Sequence, residues 1–248
     1  MGRTALFVLL SLLPAFAYAG CGGLVELSVY DRTERRELAT YHHFGRCYVV
    51  GKPGNEYRIV VRNRTREDVL AVVSVDGVNA ITGETASPVQ SGYVAGPGQA
   101  IEIEGWRKSL QRVAAFYFTS LGDSYASRTG RPENVGVIGA AVFRRKLSQA
   151  PLAESARRDE SSQSADRAAR DAPAAAESKL GTGHGRNVAS RAQYTTFERA
   201  TEAPEEVTTI YYDSMANLVA EGVGPPLVPD RQPLPFPARF VADPPKAR

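Results

Sequence analysis

The chain reads as a mainly β protein, an antiparallel β-sandwich with a disordered linker and a short α/β C-terminal segment, and three observations predict this. Residues 23–146 carry nearly all of the β-branched and aromatic density, in short runs with period-two alternation. Turn residues flank these runs, with several spacings near the eight to twelve residues typical of sandwiches and barrels. Between Tyr57 and Phe118 there is almost no helical periodicity.

The chain of 248 residues begins with one cation, Arg3, then an apolar run from Ala5 to Ala19 and small residues, so residues 1–19 read as an export signal. That run is short of the roughly 20 residues a membrane span needs, and no later segment is long or apolar enough. Two processing routes meet at this point. Ala17-Tyr18-Ala19 suits a signal peptidase and gives a chain starting at Gly20, whereas Tyr18-Ala19-Gly20-Cys21 resembles a lipobox, with Tyr18 where an aliphatic residue is usual. In the first case Cys21 is free to pair with Cys47 in an oxidising compartment; in the second it carries lipid and Cys47 is a lone thiol. The paired C-x-x-C spacing of a zinc site is absent.

Within 23–146 the expected strands are Leu24–Tyr30, Arg36–Tyr41, Cys47–Val50, Tyr57–Asn63, Val69–Val75, Ile101–Trp106, Val113–Thr119 and Val135–Phe143. Tyr57 to Arg62 and Ile101 to Glu104 alternate as strands with one wet face do, while Val69–Val75 is apolar enough to lie centrally. Pro53-Gly54-Asn55 and Pro97-Gly98 mark turns, and Asp76-Gly77 is the favoured pair for a type I′ hairpin.

Residues 147–179 change abruptly to Ala, Ser, Arg, Asp and Glu without an aromatic, a composition that cannot offset its ordering entropy and reads as a disordered linker. Residues 180–223 hold a Gly-rich run around His184, a strand-like Glu206–Tyr212 and a helical turn from Asp213, its expected N-cap, to Glu221, ended by Gly222. So short a segment is expected to dock on the β domain. The tail, 224–248, is Pro-rich and extended or disordered.

Lys and Arg number 30 against 27 Asp and Glu, a net charge of +3, interspersed rather than gathered on a face, which argues against a nucleic-acid partner. The Gly-rich run Gly181-Thr182-Gly183-His184-Gly185 lacks the Lys and the strand–helix context of a phosphate loop and reads as a flexible turn. His42, His43 and His184 are weak metal candidates, because neighbours on a strand face opposite ways and His42 and His43 could share an ion there only through a bulge or loop. Asp76, Glu84, Glu102, Glu104 and Asp123 offer carboxylates, but Asp76 has a turn role, Glu102 and Glu104 suit a wet strand face, and nothing marks a catalytic pair. Trp106 beside Arg107 and Lys108 suggests a stacking platform with cations for an anionic ligand, lined by Tyr93, Tyr117 and Tyr125; the competing reading is a core Trp with two rim cations.

Several strings carry a resemblance: Asn63-Arg64-Thr65, Leu70 to Asn79, Thr82 to Ala86, Gly92-Tyr93-Val94, Gly105 to Leu110, Arg128 to Pro132, Val135 to Gly139 and Gly181 to Gly185. Through them the chain resembles a family of exported proteobacterial proteins of unknown function. The resemblance implies an envelope location in a Gram-negative bacterium and a shared β domain; it transfers no activity, cofactor or catalytic residue. The expectation is a periplasmic or outer-membrane-associated, non-enzymatic binding or structural module without a cofactor. Its partner is an envelope ligand or protein, and it meets the membrane only through a lipid anchor at Cys21. The alternatives are a hydrolase of envelope polysaccharide, with Trp106 as sugar platform and Glu84 or Asp123 as acid or base, and a His-dependent metal-binding protein.

Overall fold

The computed structural model describes residues 21–146 and 179–224; the expected signal, the linker up to residue 178 and the tail beyond Gly224 lie outside them. Among the described residues fourteen strands form two sheets of seven each, with two short α-helices and one 3-10 turn, Pro132–Asn134. In chain order they are β1 (Val25–Asp31), β2 (Arg36–Glu37), β3 (Thr40–His43), β4 (Arg46–Val50), β5 (Glu56–Asn63), β6 (Val69–Val75), β7 (Val78–Asn79), β8 (Tyr93–Ala95), β9 (Ala100–Ile103), β10 (Gly105–Arg107), β11 (Arg112–Ser120), α1 (Tyr125–Arg128), β12 (Val137–Arg144), β13 (Leu180–Ala189), β14 (Glu206–Asp213) and α2 (Met215–Ala220).

One sheet runs β10-β11-β5-β1-β2, with β13 on β11 and β9 on β5; the other runs β3-β4-β14-β12-β6-β7, with β8 on β6. Every pairing is antiparallel except β14 with β4. Val25, Leu27, Val29, Tyr57, Ile59 and Val61 of the first sheet interleave with Val69, Ala71, Val73, Val75, Ile138, Ala140, Val142 and Ile210 of the second in one core. Strand β5 alternates buried and part-exposed residues as its pattern requires. Its wet face, and that of its neighbours, carries the ion pairs Arg58–Glu102 and Arg32–Glu104.

Strand β6 is apolar on both faces because both are covered. Leu70 and Val72 join Ala141 and Phe143 in a second cluster against Phe197, and the Arg199 guanidinium lies 4.2 Å from the Phe143 ring centre. A third cluster seats Leu218 of α2 and Val223 on Tyr48. The connection from β13 to β14 and helix α2 therefore cover the outer side of the second sheet, which lets its strands be apolar without exposing an oily face.

The expected Arg36–Tyr41 strand is divided: β2 pairs with β1 in one sheet, β3 with β4 in the other. Ile101–Trp106 likewise splits at Glu104 into β9 on β5 and β10 on β11. Gly105 sits at that step, where a Cβ would lie 2.0 Å from the Ala114 carbonyl oxygen. The larger correction concerns residues 180–223. They are not a segment docked on a finished domain: β13 extends the first sheet beside β11, and β14 fills the middle of the second. The run around His184 is strand rather than turn. Its glycines serve close approach, since a Cβ on Gly183 would lie 2.2 Å from the Tyr117 ring and one on Gly181 2.5 Å from the Ser124 Cβ. Helix α2 is capped by Ser214, whose Oγ accepts from the Asn217 amide at 3.2 Å, not by Asp213, which closes β14.

Candidate functional site

Among the described residues, one interior cluster and one surface cluster gather the side chains considered for function.

The interior place is built on the β6–β7 turn. Asp76 and Gly77 both have positive φ, +52° and +72°, and Val75 pairs with Val78, as a type I′ hairpin demands. That geometry turns the Asp76 carboxylate inward, where it is 1 % exposed. Its Oδ1 accepts the Tyr212 hydroxyl at 2.6 Å and the Gly136 amide at 3.0 Å, and its Oδ2 accepts the Thr182 amide at 2.7 Å. The Thr182 hydroxyl lies 2.7 Å from that of Tyr212 and 2.6 Å from that of Tyr57. Because Tyr212 donates to the carboxylate, its oxygen accepts from Thr182, and Thr182 accepts from Tyr57, giving one directed chain, Tyr57 to Thr182 to Tyr212 to Asp76. Tyr57 and Thr182 belong to one sheet and Asp76 and Tyr212 to the other, so the chain is a polar rivet through the core. Burial pushes the Asp76 carboxyl up to about 6, against the opposing pull of its donors. Burial, then the carboxylate's charge, raises both tyrosines well above their usual range. All four side chains are at most 2 % exposed, so this is a structural core rather than a reaction site.

The surface place surrounds the Cys21–Cys47 disulfide, whose Cα atoms are 6.4 Å apart. Backbone hydrogen bonds in both directions between Cys21 and Leu27 hold the start of the described chain in place. Cys47 comes from β4, and directly across the β3–β4 ladder stands His42, its Nδ1 3.7 Å from the Cys47 Sγ. Strand alternation turns His43 to the opposite face, against Phe44 and Tyr48. The disulfide borders an open groove of about 420 Å³ whose lining includes Gly22, Arg46, Glu206, Val207 and Tyr211. Burial raises the Glu206 carboxyl, but the Thr208 hydroxyl and the Gly23, Leu24 and Val25 amides outweigh it and hold the group below its usual range. The Arg46 guanidinium lies 5.4 Å from the Tyr211 ring centre. At the β3–β4 turn, beside the groove, Phe44 adopts φ +46° and is 91 % exposed. A bulky residue there carries a backbone cost of about 1–2 kcal/mol.

The other sequence candidates are dispersed. Trp106 is 4 % exposed; its indole N–H donates to the Gly183 carbonyl at 3.3 Å, and Phe116 and Tyr125 pack on it at ring-centre distances of 5.1 and 4.9 Å. Its rings are covered, so no sugar can stack there. Arg107 donates to the Ser190 carbonyl at 2.6 Å, and Lys108 is exposed. Tyr93 lies in the opposite sheet and Tyr117 stands over Gly183, so Tyr125 alone of the three keeps company with Trp106. Glu84 and Asp123 are exposed, the first bonded to Gln90 and the second to Ser120. His184 is on β13, in the sheet opposite His42 and His43, with its pKa lowered by partial burial and by Lys108 and Arg128. A three-histidine centre is not assembled. His42 meets two sulfurs instead, a grouping hidden from the sequence because the β3–β4 register creates it.

No family model matches the chain, and neither a curated protein nor a solved structure matches it.

Proposed function

We propose that the chain is an exported cell-envelope protein whose β-sandwich is a non-enzymatic binding module, with the Phe44 hairpin and the adjoining groove as its contact face for another envelope protein. The observation that carries this reading is Phe44. The residue is 91 % exposed on a backbone at φ +46°, a place where Asn, Asp or Gly would be cheaper on both counts. An aromatic held at such cost contributes little to the fold, and an aromatic tip beside an Arg–Tyr pair has the make-up of an interface centre. The apolar leader, the disulfide and the resemblance to exported proteins support the location. The Cys21 sulfur that makes the bridge is the one a lipid anchor would need, so the reading is of an unlipidated chain starting at Gly20.

The test is a photo-crosslinking residue placed at Phe44 in cells, with the same residue at Val89, another exposed apolar position at 73 %, as control. One discrete adduct from position 44 and none from 89 supports the reading. No adduct from 44, or equal adducts from both, overturns it. The intact mass of the protein from its envelope fraction tests the location separately: a chain from Gly20 lacking two protons is expected, and a chain retaining Met1 refutes export.

A further inference from the structure

We infer that reduction of the Cys21–Cys47 bridge converts it into a metal site, in which the two thiolates and His42 Nδ1 hold one zinc-class divalent ion with a fourth position open to the groove. The ligand atoms of these three residues already lie within 4.8 Å of one another. A tetrahedral ion with Zn–S bonds of about 2.3 Å holds two sulfurs about 3.8 Å apart. Opening the bridge to that separation needs side-chain rotation across a Cα separation of 6.4 Å and no change of strand register. His42 is placed for the third position by its pairing opposite Cys47. Thiolate with imidazole is a donor set for zinc rather than for calcium or magnesium.

The access is asymmetric. Cys21 is 3 % exposed, whereas Cys47 is part-exposed and His42 exposed. A dithiol reductant therefore attacks the Cys47 sulfur: a new S–S bond forms to it, the Cys21–Cys47 bond breaks, and the Cys21 sulfur departs as thiolate. The reductant's second thiolate then displaces Cys47 and leaves as a cyclic disulfide, so two electrons pass to the protein and the reductant is oxidised by two. The ion binds both thiolates, and any proton still on sulfur passes to solvent. Both cysteines line the groove, so a fourth position on that side would admit a further ligand, unlike a closed structural site. The inference does not depend on the proposed contact face.

The experiment is anaerobic titration of the purified protein with Co²⁺, then Zn²⁺, before and after reduction by a phosphine. Expected are no sulfur-to-cobalt charge-transfer absorption in the oxidised protein, one equivalent of Co²⁺ bound with that absorption after reduction, and its loss on adding Zn²⁺. His42→Ala should weaken binding by at least roughly 100-fold, beyond the loss of an outer-shell partner, while His43→Ala leaves it unchanged. Should reduction unfold the chain, one equivalent of Zn²⁺ must restore its near-ultraviolet dichroism, because the binding energy is then folding energy. Reduced protein that binds no Co²⁺, binding indifferent to His42, or a reduced unfolded chain that zinc does not rescue would each overturn the assignment.

Discussion

Replacing Asp76 by Asn removes the one charge buried under the β6–β7 turn while keeping a residue that tolerates φ +52°. In the fold the carboxyl titrates near 6, against 3.8 when free, a gap worth about 3 kcal/mol at about 1.4 kcal/mol per pH unit. The folded state thus binds the proton more tightly than the unfolded chain does. The carboxyl's contribution is fully present below pH 3.8, falls as the pH rises, and has been lost by about 3 kcal/mol once the pH passes 6. Asn pays a constant penalty, because its amide meets the Thr182 N–H where Oδ2 accepted it, and that penalty does not titrate. Urea unfolding of both proteins from pH 3.5 to 7.5 isolates the effect, since the surface carboxylates cancel in the difference. The stability of the wild type relative to Asp76→Asn should fall by about 3 kcal/mol between roughly pH 4 and 7. A difference that stays flat across that window would refute the assignment of a raised carboxyl, and one that rises would mean the donors dominate burial.

Three further outcomes follow from the same structure. Cys21→Ser with Cys47→Ser opens a loop of sequence separation 26 and should lower stability by about 3–4 kcal/mol in the chain-entropy description, read from urea unfolding with m fitted separately for each protein, because the uncrosslinked unfolded chain is more expanded. Gly183→Ala puts a methyl against the Tyr117 ring and should cost about 1–3 kcal/mol, and pairing it with Tyr117→Ala should return part of that loss; strict additivity would show that the clash is not the cause. Phe44→Asn should raise stability by up to about 1 kcal/mol by relieving the left-handed backbone, and a drop in melting temperature would mean that the ring packs in a way its exposure denies.

The sandwich was legible because its strongest strands are written in local pattern: Val69–Val75 is β6 to the residue, and β1, β5 and β11 lie within a residue or two of expectation. The Asp76-Gly77 hairpin was legible too, since turn chemistry is local. The failures have one cause, dependence on a distant partner. Thr182 and its flanking glycines carry no β-branched run, and the strand exists because β11 offers an edge and a crowded face that only glycine fits. Asp76 looked spent on its turn, yet the same turn delivers it to Tyr212, 136 positions away. Trp106 beside two cations looked like a platform because sequence records adjacency and not burial. His42 and Cys47 are five residues apart, but Cys21 reaches them only through the disulfide and its bridge to Leu27.

The placement of β14 governs when this protein can come into being. The strand lies between β12 and β4, the latter more than 150 residues earlier in the chain, so the second sheet has a gap at its centre until the final described residues arrive. Everything made before Glu206 is left with two unpaired strand borders, and the rivet on Asp76 lacks Tyr212. Folding of such a chain waits on its far end and closes late, through contacts of long sequence separation. A polypeptide of this order cannot draw its second sheet tight while its far end is still emerging, so the borders of β12 and β4 stay open to other strands until then.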